Sequence, residues 1–172
     1  STLLAQADEE KETTILLLAN DSGEDGQSVL SDAKFHACAG EVVTDPSVGI
    51  FEDETKKALA CSTYSVTIPE DLIADKPGNL YYVIDRYDDE RRVQSCDYVT
   101  SYDRRTLERW QNYSEIIITD VRTGETVYDK TFYGSSPESC PNEYWFGSMT
   151  EYLYGDYVDE DKITTWLDEV LQ

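Results

Sequence analysis

The sequence has few basic residues and no long apolar segment. Only 14 of its 172 residues are lysine or arginine, against 36 aspartates and glutamates, so the formal net charge is -22. Nucleic acid is therefore excluded as an expected partner, because phosphate binding needs a basic stripe. The chain has no run of about 18 apolar residues, so it contains no predicted membrane span.

Signatures of nucleotide sites and of nucleophile elbows are also missing. The chain has no Walker loop, no G-x-G-x-x-G and no G-x-S-x-G, so no nucleotide cofactor is predicted. Its single histidine, His36, has neighbours typical of an ordinary strand position rather than of a catalytic site. Acidic residues are so numerous that a pair of them says little about glycosidase-like chemistry. We predict no cofactor and no catalytic residue, with a carboxylate-dependent hydrolase as the alternative.

Four cysteines are spread along the chain without a C-x-x-C pair, which argues against a zinc ribbon or a thioredoxin-type site. An even count in an acidic, tyrosine-rich domain predicts two disulfides and an oxidising compartment. The expected location is therefore extracytoplasmic: secreted, periplasmic or anchored at the cell surface. Four buried free thiols are the alternative. Three connectivities are possible, and we favour the sequential one, which pairs Cys38 with Cys61 and Cys96 with Cys140.

The clearest local signal is a hairpin over residues 115–134. A β-branched run at 116–118 and an alternating segment at 126–133 are typical of strands. Between them, Asp120 can bond back to the turn backbone and Gly124 can take a positive φ. A second hairpin is predicted from strands at 80–87 and 92–100, with its turn at the charged residues 88–91.

Other segments complete an α+β fold. Residues 13–19 and 57–68 are predicted to be strands, residues 33–44 one or two short strands broken at Gly40, and residues 69–72 a brief helical turn. Residues 158–172 predict an amphipathic helix that Asp159 caps, with Ile163, Trp166, Leu167, Val170 and Leu171 on one face. We therefore expect one β-rich domain over residues 13–172, preceded by a flexible segment at 1–12. Its mainly antiparallel sheet, a curled sheet or small sandwich, packs against that C-terminal helix.

One acidic segment faintly matches a calcium loop. Part of the spacing of an EF-hand loop is present at Asp21, Asp25, Gly26 and Asp32. The third position of the pattern is Gly23, and the twelfth is Asp32 where a glutamate is usual. We predict no metal site there. A calcium-stabilised structural domain is a further alternative.

Two clusters are candidate ligand sites. Six of the seven arginines lie between residues 86 and 109, and Arg86, Arg92 and Arg105 are candidates to bind an anionic ligand. Acidic residues are interleaved with them, so cross-strand ion pairs are the interpretation we favour.

The second cluster is aromatic and spans residues 144–157. It could form a stacking platform for sugars or a cage for a cationic group, with Tyr144, Trp145 and Tyr154 as candidate contacts. Packing beneath the C-terminal helix is the alternative that we favour here. The whole set is Tyr144, Trp145, Phe146, Tyr152, Tyr154 and Tyr157.

From Ile68 to the end, the order of motifs resembles a group of uncharacterised bacterial domains found outside the cytoplasm, often after a single membrane anchor. The motifs are Cys96-Asp97-Tyr98, the Thr123-Gly124 hairpin, Phe132-Tyr133-Gly134 with Pro137, Cys140-Pro141, Tyr154-Gly155 and Trp166-Leu167. The resemblance implies an extracytoplasmic location and a paired Cys96 and Cys140, and it brings no activity. We expect a non-catalytic binding or accessory domain for a protein or small-molecule partner that the sequence does not identify.

Overall fold

Two long antiparallel strands form the centre of the fold. A computed structural model describes residues 14–16, 26–44, 56–61, 66–75 and 79–172. Within it, β4 (Leu80–Val99) and β5 (Arg104–Asp120) pair along nearly their whole length. Their connection is a tight turn in which Thr100 N–H donates to the carbonyl of Asp103 at 2.9 Å.

Three shorter strands complete a five-stranded sheet. Two earlier strands of the chain, β1 (Thr14–Leu16) and β2 (Val42–Thr44), lie outside this sheet and form a separate parallel pair. β3 (Lys57–Ala60) pairs with β4 in parallel, and β6 (Thr126–Tyr133) pairs antiparallel with residues 113–119 of β5. β7 (Thr150–Tyr154) pairs in parallel with residues 106–110 of β5. β6 and β7 therefore share one edge of β5, end to end.

Two helices cover opposite faces of one end of this sheet. α2 (Glu160–Leu171) packs against a cluster that includes Ile84, and α1 (Gly26–Cys38) packs against a cluster that includes Val83. Successive residues of a strand point to opposite faces, so the sheet lies between the helices at this end. The far half of the β4–β5 hairpin extends beyond them.

The predicted C-terminal helix and α+β fold class are confirmed. The Asp159 side chain caps α2 by accepting the N–H of Asp161 at 3.1 Å. Ile163, Trp166, Leu167 and Leu171 are buried on its inner face, and each such side chain stabilises the fold by roughly 1.5–3 kcal/mol. Their partners on the sheet are Ile84, Ile116, Ile118 and Phe132.

The hairpin over residues 115–134 is also confirmed. The Asp120 carboxylate accepts the N–H of Arg122 at 2.9 Å, and Gly124 has a φ of +70°. The predicted turn at residues 88–91 is wrong, because β4 runs through it unbroken. Asp88 and Asp89 are residues that turns favour, but residues 88–91 pair with residues 111–114 of β5 and therefore form an exposed stretch of strand.

The prediction of strands over residues 33–44 is wrong for its first part. That part belongs to α1, and β2 follows only after Gly40, which has a φ of +80°. Leu30, Ala33 and Ala37 are buried at a helical spacing, but a window that begins at residue 33 misses the start of that period. His36 is therefore a helical residue, and its Nδ1 lies 2.6 Å from a carboxylate oxygen of Glu41.

The remaining predictions for the first half are only partly covered. β1 falls within the strand predicted over 13–19, and β3 occupies the first four residues of the one predicted over 57–68. Residues 69–72 make the expected helical turn, a 3₁₀ helix at Glu70–Leu72. The flexible segment predicted at 1–12 lies outside the described residues.

Both disulfides have the sequential pairing. The Cα atoms of Cys38 and Cys61 are 5.5 Å apart, and those of Cys96 and Cys140 are 5.9 Å apart. The first ties α1 to the end of β3, and the second ties the hairpin to the chain after β6. Among the described helices, none has the length and apolar character that crossing a membrane requires.

Candidate functional site

The far end of the β4–β5 hairpin carries the main surface feature of the molecule. The chain leaves β6 at Gly134, continues through residues 135–149, a segment without helix or strand, and returns as β7. We call residues 135–149 the 135–149 loop. It passes beside the half of the hairpin that the helices leave uncovered.

Contacts at several points hold this loop against the hairpin. Cys140 is bonded to Cys96, and the hydroxyl of Tyr98 donates to the carbonyl of Pro141 at 2.7 Å. Arg105 donates to the carbonyl of Phe146 at 3.0 Å. Further contacts along the loop are the bonds from Arg109 to the carbonyl of Pro137, from the Thr106 N–H to the carbonyl of Met149, and from the Gly147 and Ser148 N–H groups to the Glu151 carboxylate. The loop is ordered although it has no regular secondary structure.

Aromatic side chains of the loop alternate in direction. Tyr144 and Phe146 pack on Tyr98 of β4, with the Phe146 ring centroid 5.2 Å from that of Tyr98 and 4.8 Å from that of Tyr144. Trp145, between them, is 98% exposed. Val99, Tyr102 and Met149 are exposed at the same end of the hairpin.

This arrangement overturns the interpretation favoured from the sequence for the aromatic segment. Tyr144 and Phe146 pack on the hairpin and not beneath the C-terminal helix. The helix instead packs Trp166 against Phe132, with ring centroids 5.6 Å apart. The sequence signal for the true partner was Tyr98, which lies two residues after Cys96 and therefore on the same face of the strand.

Tyr152 and Tyr154 form the second aromatic feature. They alternate with Glu151 and Leu153 on β7 and point to one face of the sheet, with ring centroids 6.5 Å apart. Both side chains are about half exposed. Trp110 is the register partner of Tyr154 on β5, so this face carries an aromatic strip that was not apparent from the sequence.

Carboxylates surround both features. The Glu151 carboxylate accepts hydrogen bonds from the Gly147 N–H and from the Tyr144 hydroxyl. These bonds hold the pKa of Glu151 below its ordinary value. The hydrogen bond to Glu151 in turn raises the pKa of Tyr144. Desolvation and the charges of Glu90 and Glu108 raise the pKa of Tyr154. Glu108 is itself ion-paired with Arg92, and Arg105 also lowers the pKa of Glu151, so this end of the sheet carries charges of both signs.

The three candidate arginines all have acidic partners. Arg86 bonds Asp88 at 2.8 Å and Glu160 at 2.7 Å. The two further pairs join Arg92 to Glu108 at 2.8 Å and Arg105 to Asp103 at 3.1 Å. Only the pair of Arg92 with Glu108 joins two strands, as the interpretation favoured from the sequence expects. The partners of Arg86 and Arg105 lie on the same strand, on α2 or in the adjoining turn. Of the three, only Arg105 touches the 135–149 loop.

A cleft of about 250 Å³ lies between the middle of the hairpin and the start of α2. Arg86 lies in it, and Ser114 donates to Asp88 there. Asn112, the first residue of an N-Y-S sequon, is buried at its edge and donates to the carbonyl of Gly155 at 2.9 Å. The lining residues are Arg86, Asp88, Asp89, Glu90, Asn112, Tyr113, Ser114, Tyr157 and Val158.

The candidate ligand residues therefore do not form one site. Tyr144 and Trp145 belong to the 135–149 loop with Arg105, Tyr154 lies on the aromatic strip, and Arg86 lies in the cleft. In the part of the chain that the structure describes, no group of histidine, cysteine or acidic side chains could hold a metal ion. The calcium-like spacing begins outside the described residues, and α1 starts within it, at Gly26.

Comparisons with known proteins identify no relative. A scan against family models found no match, and neither did searches of curated proteins and of solved structures.

Proposed function

We propose that this protein is a non-catalytic, extracytoplasmic binding domain whose contact surface centres on Trp145. The observation that supports it is a tryptophan with 98% of its surface in water, on a loop that a disulfide and several hydrogen bonds hold in place. Covering such a ring would gain roughly 1.5–3 kcal/mol. An ordered loop loses little further conformational entropy on binding, and tryptophan is enriched among residues that dominate binding energy.

The disulfides support the extracytoplasmic part of the proposal. Two such bonds are typical of proteins that fold outside the cytoplasm. Thiol labelling of the denatured, unreduced protein purified from its native host should find no reactive cysteine; four reactive cysteines would overturn this part.

The hydrolase alternative would need two close carboxylates in a cleft. Asp88, Asp89 and Glu90 line the cleft beside α2, and Asp88 is bound by Arg86 and Ser114. Asp85, whose pKa is raised by burial, does not line it. An unchanged melting temperature when calcium is added after chelation would exclude the calcium-stabilised alternative.

Site-specific photocrosslinking tests the binding surface. A benzoylphenylalanine at position 145 should form a discrete adduct with a component of the surface or secreted fraction of the source cells. The same group in place of Phe35, which is 69% exposed on α1, is the matched control. Competition by the unlabelled protein should remove the adduct, and competition by Trp145→Ala should not. Equal adducts from positions 145 and 35 would refute the proposal.

A further inference from the structure

β7 presents an open sheet edge beside the 135–149 loop. The carbonyl of Met149 accepts the N–H of Thr106, and the N–H of Gly155 donates to Trp110. In a parallel ladder with this register, Glu151 and Leu153 turn their backbone groups toward β5. The N–H and C=O groups of Tyr152 and Tyr154 therefore point away from the sheet, and no strand among the described residues pairs with them.

Other described edges of this sheet carry features that discourage strand addition. The outer edge of β4 beyond Ile84 is densely charged, and its pairing with β5 is irregular at Val93. β6 has Asp129 and Lys130 at the middle of its outer edge, and the outer side of β3 is bridged by residue 73. Charged side chains and bulges are the usual protections of exposed edges. β7, with the sequence TEYLY, has one charged side chain but neither lysine, proline nor an irregularity in its register.

Acidic side chains lie on both faces of the sheet at this edge, together with basic ones. Glu108 lies beside Tyr152 on one face and is ion-paired with Arg92. Glu151 lies on the other face, which it shares with Arg109. A second copy of this chain is a poor occupant, because two proteins of net charge -22 repel each other. An extended segment with basic side chains would complement the excess negative charge of the chain.

We propose that β7 accepts an extended, basic segment of a partner protein as an added antiparallel or parallel strand, with main-chain hydrogen bonds to Tyr152 and Tyr154. This mode of recognition takes affinity from the backbone and specificity from alternate side chains. It rests on the proposed binding function, since it names a partner chemistry for the strand that directly follows the loop of Trp145.

Amide hydrogen exchange tests the edge directly. The probe is a synthetic peptide of alternating valine and lysine, and its control alternates valine and glutamate. In the free protein, the amides of Tyr152 and Tyr154 should exchange faster than those of Glu151 and Leu153. The lysine peptide should slow exchange at Tyr152 and Tyr154 at least tenfold, and the glutamate peptide should leave it unchanged. Equal effects of the two peptides, or lysine-peptide binding without that protection, would overturn the proposal.

Two variants separate backbone from side chain. Tyr152→Pro removes the outward N–H without removing a bond to β5, since edge positions tolerate proline, whereas Tyr152→Thr removes the ring and keeps the N–H. We expect the proline variant to bind the lysine peptide at least tenfold more weakly than the threonine variant, at equal melting temperatures. Equal affinities would refute a backbone role, as would a dimer of the free protein with Tyr152 and Tyr154 already protected. Crosslinking from position 145 is scored independently, so the two proposals can fail separately.

Discussion

Gly134 and Gly155 each lie against the backbone of the residue that follows the other, where the chain crosses itself on the edge of β5. A Cβ at Gly134 would overlap the carbonyl oxygen of Asp156, and a Cβ at Gly155 would overlap that of Ser135. At this crossing, the Gly134 N–H donates to the carbonyl of Asn112 and the Gly155 N–H donates to that of Trp110. The crossing lets β6 and β7 both end at adjacent positions on the same edge of β5, so the loop between them passes the hairpin tip.

A methyl group at this crossing should therefore be costly. Because both obstructing atoms are backbone, Gly155→Ala should lower the free energy of unfolding by about 3 kcal/mol, the upper part of the range for overpacking. Gly147→Ala is the matched control, since its Cβ would meet only a side-chain oxygen of Glu151 at 3.3 Å. Urea unfolding of both variants measures the difference, and equal stabilities would contradict the steric account.

Two tryptophans should differ sharply in what they contribute to stability. Trp166 packs against Phe132 and is only 9% exposed. Trp166→Ala should therefore lower the free energy of unfolding by about 3–5 kcal/mol. Trp145→Ala should change stability by no more than about 0.5 kcal/mol, because its ring touches little protein. Thermal unfolding of both variants checks this, and a substantial loss for Trp145→Ala would show that the exposed ring is structural.

The two disulfides should have separable effects. On the chain-entropy model, the bond from Cys96 to Cys140 contributes about 4 kcal/mol and that from Cys38 to Cys61 about 3.5 kcal/mol, for separations of 44 and 23 residues. Only the double serine variant at 96 and 140 should release the 135–149 loop. Limited proteolysis under conditions where both variants stay folded should cut that loop in this variant alone. Equal cutting in the variant at 38 and 61 would contradict this assignment.

Asp120 should contribute a pH-dependent part of the stability. Burial opposes its ionisation, but hydrogen bonds from the Arg122 side chain and N–H lower its pKa below the ordinary value. A depressed pKa stabilises the fold above the unfolded-state pKa of about 3.9, and that stability is lost as the pH falls through the folded-state value.

Asp120→Asn should therefore lower the free energy of unfolding by about 1–2 kcal/mol at pH 7. Because Arg122 is partly exposed, we expect the lower end of that range. The difference from the wild type should shrink as the pH falls below about 4. Asp129→Asn, at an exposed position of β6, is the control. A pH-independent difference would show that the carboxylate charge is not responsible.

Features that depend on neighbouring residues were predictable from the sequence. The turn before β6 needed only Asp120 and Gly124, and α2 needed only its apolar period and its cap, because hydrogen bonds within a few residues determine both. The even cysteine count indicated two disulfides but left three connectivities open, and the favoured sequential pairing is confirmed. These elements were sufficient for the fold class and for the helix on the sheet.

Features that depend on distant partners were not predictable in this way. Residues 88–91 stay extended because β5 pairs with them. The Trp145 ring is exposed because its neighbours Tyr144 and Phe146 pack on Tyr98 and Trp145 points the other way. The parallel placement of β7 follows from the contact of Gly134 with the backbone after Gly155. Local chemistry thus determined the turn before β6 and the helix α2. Tertiary pairing determined the course of residues 88–91 and which aromatic side chains reach solvent, because burial is a property of the partners that a side chain meets.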